Sequence, residues 1–322
     1  MKRGALIAAI ASVAALLTGS GALAQEHEIL GQPTPEAIDF QPPATSIMEE
    51  IRNFHGFLLP IIVAISVFVL ALLLWVVIRY NRRANPTPRK FTHNMLVEVI
   101  WTVVPVLILV MIAWRSFPLI FREERIPPSA EITLKVTGNQ WFWQYEYPDQ
   151  HVSLTSILQP EADVAAWNAA HPDPAQHRTY LLATNNPIVV PMDTTVRVLV
   201  TSNDVIHAWA VPAFGVKEDA TQGRVNDSWF RIESRLVGPG EHTFFGECSE
   251  LCGKDHAFMP IEVRAVPRDE FNRWLASQGG TMAFGQAATT PASATTTATP
   301  GAPPPPASGA APAPAQTPSH TR

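Results

Sequence analysis

Two stretches of this 322-residue chain are too long and too apolar for the core helices of a small water-soluble domain. Phe57 to Ile78 is 22 residues without a charge, and Met95 to Trp114 is 20 residues with one, Glu98. At about 1.5 Å of rise per residue, each run crosses a hydrocarbon layer about 30 Å thick as a helix, the only single-segment structure that satisfies its own backbone there. The pattern predicts transmembrane helices over 54–80 and 94–118. Their connection, 81–93, together with Arg79 carries five basic residues (Arg79, Arg82, Arg83, Arg89 and Lys90) and no acid. Short basic loops stay on the cytoplasmic side, so both flanking segments are expected outside. Pro60 and Pro105 lie within the runs, where a proline bends a membrane helix without ending it. Only 16% of the whole chain is charged, against about 25% in an ordinary soluble protein, as two such helices require.

The first 24 residues read as a secretory signal. Lys2 and Arg3 precede an apolar run from Ala5 to Leu17, and Ala22-Leu23-Ala24 supplies small residues at alternate positions before Gln25. An uncleaved membrane helix is the alternative, but a core of about a dozen residues is too short to cross a bilayer. Cleavage is expected after Ala24, leaving 25–53 as an exterior N-terminal segment.

After the second helix the texture changes to short alternating runs: Glu131 to Thr137, Gln140 to Tyr147, Thr194 to Thr201, Trp229 to Ser234 and Glu241 to Cys248. Period-two alternation between Pro/Gly/Asn clusters predicts an all-β exterior domain over 123–278, an antiparallel Greek-key sandwich or barrel. A closing helix is expected at Pro267 to Ser277, with Phe271, Trp274 and Leu275 on one face. Gln150 to His177 reads as a polar insertion. In 279–322, 30 of 44 residues are Ala, Pro or Thr, a composition that cannot bury enough apolar surface to order its backbone, so a disordered tail is expected.

The net charge of −5 excludes the basic field that nucleic-acid binders need. Between Glu123 and Arg273 there are 21 acids and 12 bases. Such a surface is either simply solvated or faces a cationic partner, steered by complementary fields.

The richest segment is Cys248-Ser-Glu-Leu-Cys252-Gly-Lys-Asp-His256-Ala-Phe-Met259, with His207 about forty residues earlier. Thiolate, imidazole and thioether together suit copper, whereas Mg²⁺ and Ca²⁺ want oxygen and structural zinc rarely takes a thioether. One thiolate with two imidazoles and a weak Met would make a mononuclear blue-copper site. The second thiolate permits two metals sharing both sulfurs. These are the only two cysteines, so the competing reading is a Cys248–Cys252 disulfide in an exported protein. A bridge, however, needs neither His256 nor Met259.

The run C-S-E-L-C-G-x-x-H-x-x-M-P, the preceding D-V-I-H-A-W-A-V-P, the aromatic stretch Gln140-Trp-Phe-Trp-Gln-Tyr-Glu-Tyr147 and the helix segment Glu98-Val-Ile-Trp-Thr together resemble subunit II of cytochrome c oxidase. The likeness covers roughly residues 45 to 270; the tail and the 150–177 stretch fall outside it. It implies a cupredoxin-like domain with a dinuclear copper A centre, in which Cys248 and Cys252 bridge both coppers, His207 and Met259 complete one, and His256 with the Glu250 carbonyl completes the other. It further implies that the Glu250 side chain reaches a Mg²⁺ at the contact with subunit I, that Trp141 is where electrons enter from cytochrome c, and that Glu98 stands at the mouth of a proton path into subunit I. Phe142 stands where many members have Tyr. The implied setting is a bacterial-type inner membrane, the copper domain on the periplasmic side, with subunits I and III as neighbours and oxygen reduction coupled to proton pumping as the activity of the complex. Asp204 and Asp219 are candidate contacts for the basic face of cytochrome c. No C-x-x-C-H haem-attachment motif occurs, so the donor is a separate molecule. A quinol oxidase subunit II would keep the fold and lack the copper ligands. A copper-delivery protein would need a more open site.

Overall fold

The computed structural model describes residues 30–34, 37–87, 90–172 and 177–281. The expected signal peptide and all but the first residues of the Ala/Pro/Thr-rich tail lie outside that range.

Two long helices come first, α1 (Ser46–Arg79) and α2 (Met95–Glu124). Both extend past the apolar runs at their exterior ends, where Arg122 of α2 pairs with Glu50 of α1. Thr45 caps α1, its hydroxyl accepting from the Met48 N–H at 3.0 Å, and Asn94 caps α2 by accepting from Val97 N–H at 3.2 Å. Between the caps the apolar side chains face outward: Phe68, Leu73 and Trp75 of α1 and Trp101, Leu107 and Leu109 of α2 are all exposed. A helix that is apolar all round and covered by none of its own chain is built for a lipid or protein environment.

The remainder folds as a sandwich of two five-stranded sheets. Its strands are β1 (Ile132–Asn139), β2 (Phe142–Tyr147), β3 (Val152–Ser156), β4 (Ile188–Pro191), β5 (Val196–Ser202), β6 (His207–Val211), β7 (Val216–Ala220), β8 (Asn226–Phe230), β9 (His242–Cys248) and β10 (Pro260–Val266). The first sheet runs β3-β2-β1-β5-β8 and the second β4-β10-β9-β6-β7. Alternation builds the first sheet's inner face: Ile132, Leu134 and Val136 of β1 and Val196, Val198 and Val200 of β5 are almost fully buried. Each such side chain contributes about 1.5–3 kcal/mol by leaving water. Opposite them lie Trp209, Val211, Phe244, Ile261 and Val263. The polar tips of buried aromatics find partners: Trp209 Nε1–H donates to the Tyr145 hydroxyl at 3.3 Å, and the Tyr147 hydroxyl donates to the Val189 carbonyl at 2.8 Å.

The sheets are mixed rather than purely antiparallel, since β1 pairs parallel with β5 and β10 parallel with β4. The expected strand at Trp229 to Ser234 lies earlier, at Asn226–Phe230, where Asp227 meets Arg197 across the edge of the sheet at 3.0 Å. Beyond Phe230 the chain turns into the short helix α4 (Ser234–Val237). The polar 150–177 stretch holds β3 and, after Pro160, helix α3 (Glu161–Ala170). The loop that follows is tied to β10 by buried Glu262, whose carboxylate accepts from Thr184 N–H at 2.6 Å. Burial raises the Glu262 pKa despite that bond. The closing helix α5 (Arg268–Ser277) places Phe271 and Leu275 in the core and Trp274 at its edge.

Helices and sandwich are joined by direct contacts. Ala44 N–H donates to Ala213 O at 2.9 Å, and the Thr45 hydroxyl donates to Phe214 O at 2.7 Å. Trp229 Nε1–H reaches the Arg122 carbonyl at 3.3 Å, and Arg235 pairs with Glu49 at 2.8 Å.

Candidate metal centre

Strand pairing explains why residues 41 apart in sequence meet. β6 and β9 are antiparallel neighbours with Trp209 opposite Cys248, so His207 at the start of β6 and Cys248 at the end of β9 reach the same end of the sandwich. The chain then loops through Glu250, Cys252 and His256, and Met259 returns it to the first residue of β10, Pro260. The loop is pinned at both ends: Ser249 N–H donates to Ala208 O at 3.0 Å, and Trp143 Nε1–H donates to Met259 O at 3.1 Å. Behind the His207 ring β1 passes at Gly138, where a Cβ would sit 2.8 Å from the imidazole. Only glycine leaves room there.

The two sulfurs lie 3.8 Å apart and are unbonded; a disulfide would hold them at about 2.05 Å. Beside Cys248 Sγ are His207 Nδ1 at 3.8 Å and the Glu250 carbonyl at 3.3 Å. Beside Cys252 Sγ are His256 Nδ1 at 3.5 Å and Met259 Sδ at 3.6 Å. Each sulfur thus has one imidazole and one weaker donor. The set His207, Cys248 and Cys252 is buried, with ligand atoms within 4.8 Å of one another, and could hold a metal ion. Its soft thiolate, imidazole and thioether donors suit copper.

The surroundings act on the two thiols in opposite directions. Burial raises both thiols. For Cys248, hydrogen bonds with His207 and from the Glu250 and Ala208 backbone outweigh burial and bring it down to about 7. Cys252 is pushed up, by burial first and then by the Cys248 thiolate. Two bare thiolates this close repel, so releasing both protons calls for positive charge between or beside them. Asp204 fixes the imidazole: its Oδ1 accepts from His207 Nε2–H at 2.8 Å, which leaves Nδ1 bare and facing Cys248. Burial lowers and Cys248 and Asp204 raise the His207 pKa, for a net upward shift. Asp204 Oδ2 also accepts from Gln140 N–H at 2.6 Å, so both oxygens of this candidate docking residue are engaged within the site. Asp219 is exposed on β7.

The geometry brings five of the six expected side chains, and the Glu250 carbonyl, into one loop cluster; the Glu250 carboxylate itself faces outward. Trp141 lies partly buried at its edge, Nε1–H donating to Cys252 O at 3.2 Å. Glu98 is elsewhere, in the first turn of α2 at the far end from the sandwich, where its Oε1 accepts from Asn94 N–H at 3.2 Å and closes the helix cap. Asp204, expected as a docking contact for cytochrome c, instead binds His207; the signal for that is a carboxylate three residues before a candidate ligand histidine. Ile206, Leu251 and Phe258, 48%, 78% and 42% exposed, are each the sequence neighbour of a candidate ligand and leave apolar surface around the loop.

Known proteins resemble this chain over both its helical and its β part. Residues 132–266 match the family "Cytochrome C oxidase subunit II, periplasmic domain" and residues 33–119 its "transmembrane domain". A cytochrome c oxidase subunit 2 of Cereibacter sphaeroides is 44% identical over 279 residues, covering 83% of this chain and 90% of that protein. A probable cytochrome c oxidase subunit 2 of Rickettsia bellii is 45% identical over 256 residues, 79% of this chain and 89% of that protein. The crystal structure of the periplasmic domain of subunit II of the Bradyrhizobium japonicum cytochrome oxidase is 42% identical, covers 48% of this chain and 97% of that one, and superposes with a TM-score of 0.39. The chain therefore belongs to the cytochrome c oxidase subunit II family, as a membrane-anchored subunit of a haem-copper oxidase whose cupredoxin-like β domain stands outside the bilayer.

Proposed function

We propose that this subunit takes electrons one at a time from cytochrome c and delivers them to subunit I, through a dinuclear copper A centre held by Cys248, Cys252, His207, His256, Met259 and the Glu250 carbonyl. When bound, two coppers sharing two thiolates spread one electron's charge over both metals, so transfer needs little nuclear rearrangement. The observation that carries the reading is the crossed placement of donors around the sulfur pair. The set assigned to one metal, His207 and Met259, draws one donor from beside each sulfur, and so does the other set, Glu250 O and His256. A mononuclear site has no use for the second half of that arrangement.

The chain's own residues do the rest. The β6 and β9 termini hold the donors in place before any electron arrives, and the buried sulfurs exclude water from them. Asp204 keeps His207 in one tautomer. Trp141, against the ligand loop, is where electrons come in, and the acidic exterior surface steers the basic donor toward it. The exposed Glu250 carboxylate is free for a hard cation, Mg²⁺, at the contact with subunit I. Glu98, at the cytoplasmic end of α2, serves the mouth of a proton-uptake path in addition to its capping bond. Subunit III and the periplasmic placement follow from the same reading, as does signal cleavage after Ala24.

Copper counting and electron paramagnetic resonance on the purified oxidase test this. Two coppers assigned to this chain, with one unpaired electron shared between two equivalent nuclei, are expected. One copper with a blue-copper signature, or loss of no copper signal in Cys252→Ser, would overturn the dinuclear assignment.

A further inference from the structure

The β1–β2 turn brings Trp141 onto the ligand loop, and neighbouring backbone holds it there. Its Nε1–H donates to the Cys252 carbonyl at 3.2 Å, to which Gln140 Nε2 also donates at 2.8 Å. The indole lies against Gly253. A Cβ at that position would sit 2.8 Å from Trp141 Cζ2, 3.3 Å from its Nε1 and 3.2 Å from Gln140 Nε2. Gly253 also has φ +126°, a conformation that side-chain-bearing residues rarely adopt. The Lys254 ammonium stands 5.6 Å from the ring centroid, near enough for cation–π attraction.

We infer that Gly253 is a positioning residue for electron uptake: its missing side chain is the space in which the Trp141 indole lies, so that the ring's N–H reaches the carbonyl of Cys252. The path from ring to sulfur is then one hydrogen bond followed by covalent bonds within a single residue, from the carbonyl carbon through Cα and Cβ to Sγ. In the step this serves, one electron leaves the reduced haem of a cytochrome c, the cytochrome departs oxidised, the metal pair is reduced by that electron, and the indole ends with the electrons it began with. The inference rests on the reading of Trp141 as the point of electron uptake. A side chain at 253 lifts the ring and breaks the bond, and misplacement on this scale is costly.

The test uses the full-length subunit in the assembled oxidase, as Gly253→Ala, Trp141→Phe and the double variant. For Gly253→Ala, a cryo-EM map at side-chain resolution should show the indole N–H out of reach of the Cys252 carbonyl, with copper content and paramagnetic spectrum retained. Uptake from cytochrome c should slow by about tenfold or more, with the half-saturating cytochrome concentration little changed. Phenylalanine is smaller and has no N–H, so adding Gly253→Ala to Trp141→Phe should slow uptake no further. An indole still bonded in the Gly253→Ala map, or equal slowing in both backgrounds, overturns the inference. If Trp141→Phe slows uptake and Gly253→Ala does not, the inference fails alone; if Trp141→Phe changes nothing, the reading of Trp141 fails and takes it along. Should Gly253→Ala not assemble, assembly of the double variant with a normal copper spectrum supports a clash with the ring, and failure of both shows that the loop needs glycine for its own backbone.

Discussion

The helical hairpin and the β sandwich use the same aliphatic residues in opposite senses. In α1 and α2 the leucines and valines point away from the chain, and only Ile47, Met48 and Leu119, near the sandwich, are buried. In the sandwich Leu134, Val198 and Ile261 are wholly enclosed. The difference lies in the solvent each part meets. Lipid tails are as apolar as leucine, so burying one helix against another gains little from the hydrophobic effect. A sandwich in water must build its own interior. The site follows the second region: its sulfurs, His207 and Met259 sit on the rim of the interior that the sandwich builds.

That contrast can be broken by experiment. Trp143→Ala removes a fully buried ring that bonds the Met259 carbonyl, and is expected to destabilise the sandwich by about 3–5 kcal/mol. Leu73→Ala, on the outward face of α1, should move the same transition by no more than about 0.5 kcal/mol. Denaturant unfolding of the detergent-solubilised chain, followed by near-UV circular dichroism, compares them, and equal effects would refute the division. Asp204→Asn should come next in size. The amide has one acceptor oxygen where the carboxylate serves His207, Val205 and Gln140 with two, so one N–H meets an NH₂ group. A loss of about 10–100-fold in copper affinity is expected, measured by competition with a chelator. The junction lies between these and the Leu73 control: Thr45→Ala removes a helix cap and the bond to Phe214, and should cost about 1 kcal/mol in the same unfolding assay.

What could be read from the sequence divides along similar lines. The helices announced themselves because an apolar run of twenty residues or more with at most one charge needs no tertiary information. Strands β1, β2, β5 and β9 were found because one face meets the core, giving alternation. By contrast β4, β6 and nearly all of β10 are buried on both faces, so their sequences do not alternate and give no period-two signal. Helix α3 escaped because its Ala-rich sequence has only Val164 to bury. The parallel pairs were invisible, since they join segments more than sixty residues apart in sequence. At the site, the candidate donors and their spacing were legible because soft donors in one short loop are chemically specific. The contacts of Asp204, Gln140 and Gly253 were not, because each exists only once β1, β6 and the cysteine-bearing loop have met.

The fastening of α1 and α2 to the sandwich has a mechanical consequence. Thr45 at the head of one helix and the Arg122 carbonyl near the end of the other are bonded straight into the β domain, with Arg235 bracing Glu49. The domain therefore stands on two stiff posts and is not hung from a tether. Transmembrane helices answer a thicker or thinner bilayer by changing tilt, and here a change of tilt becomes a change in the height and aim of the sulfur-bearing loop. Lipid composition thereby acquires a lever on how that loop faces its neighbours, without touching a single ligand.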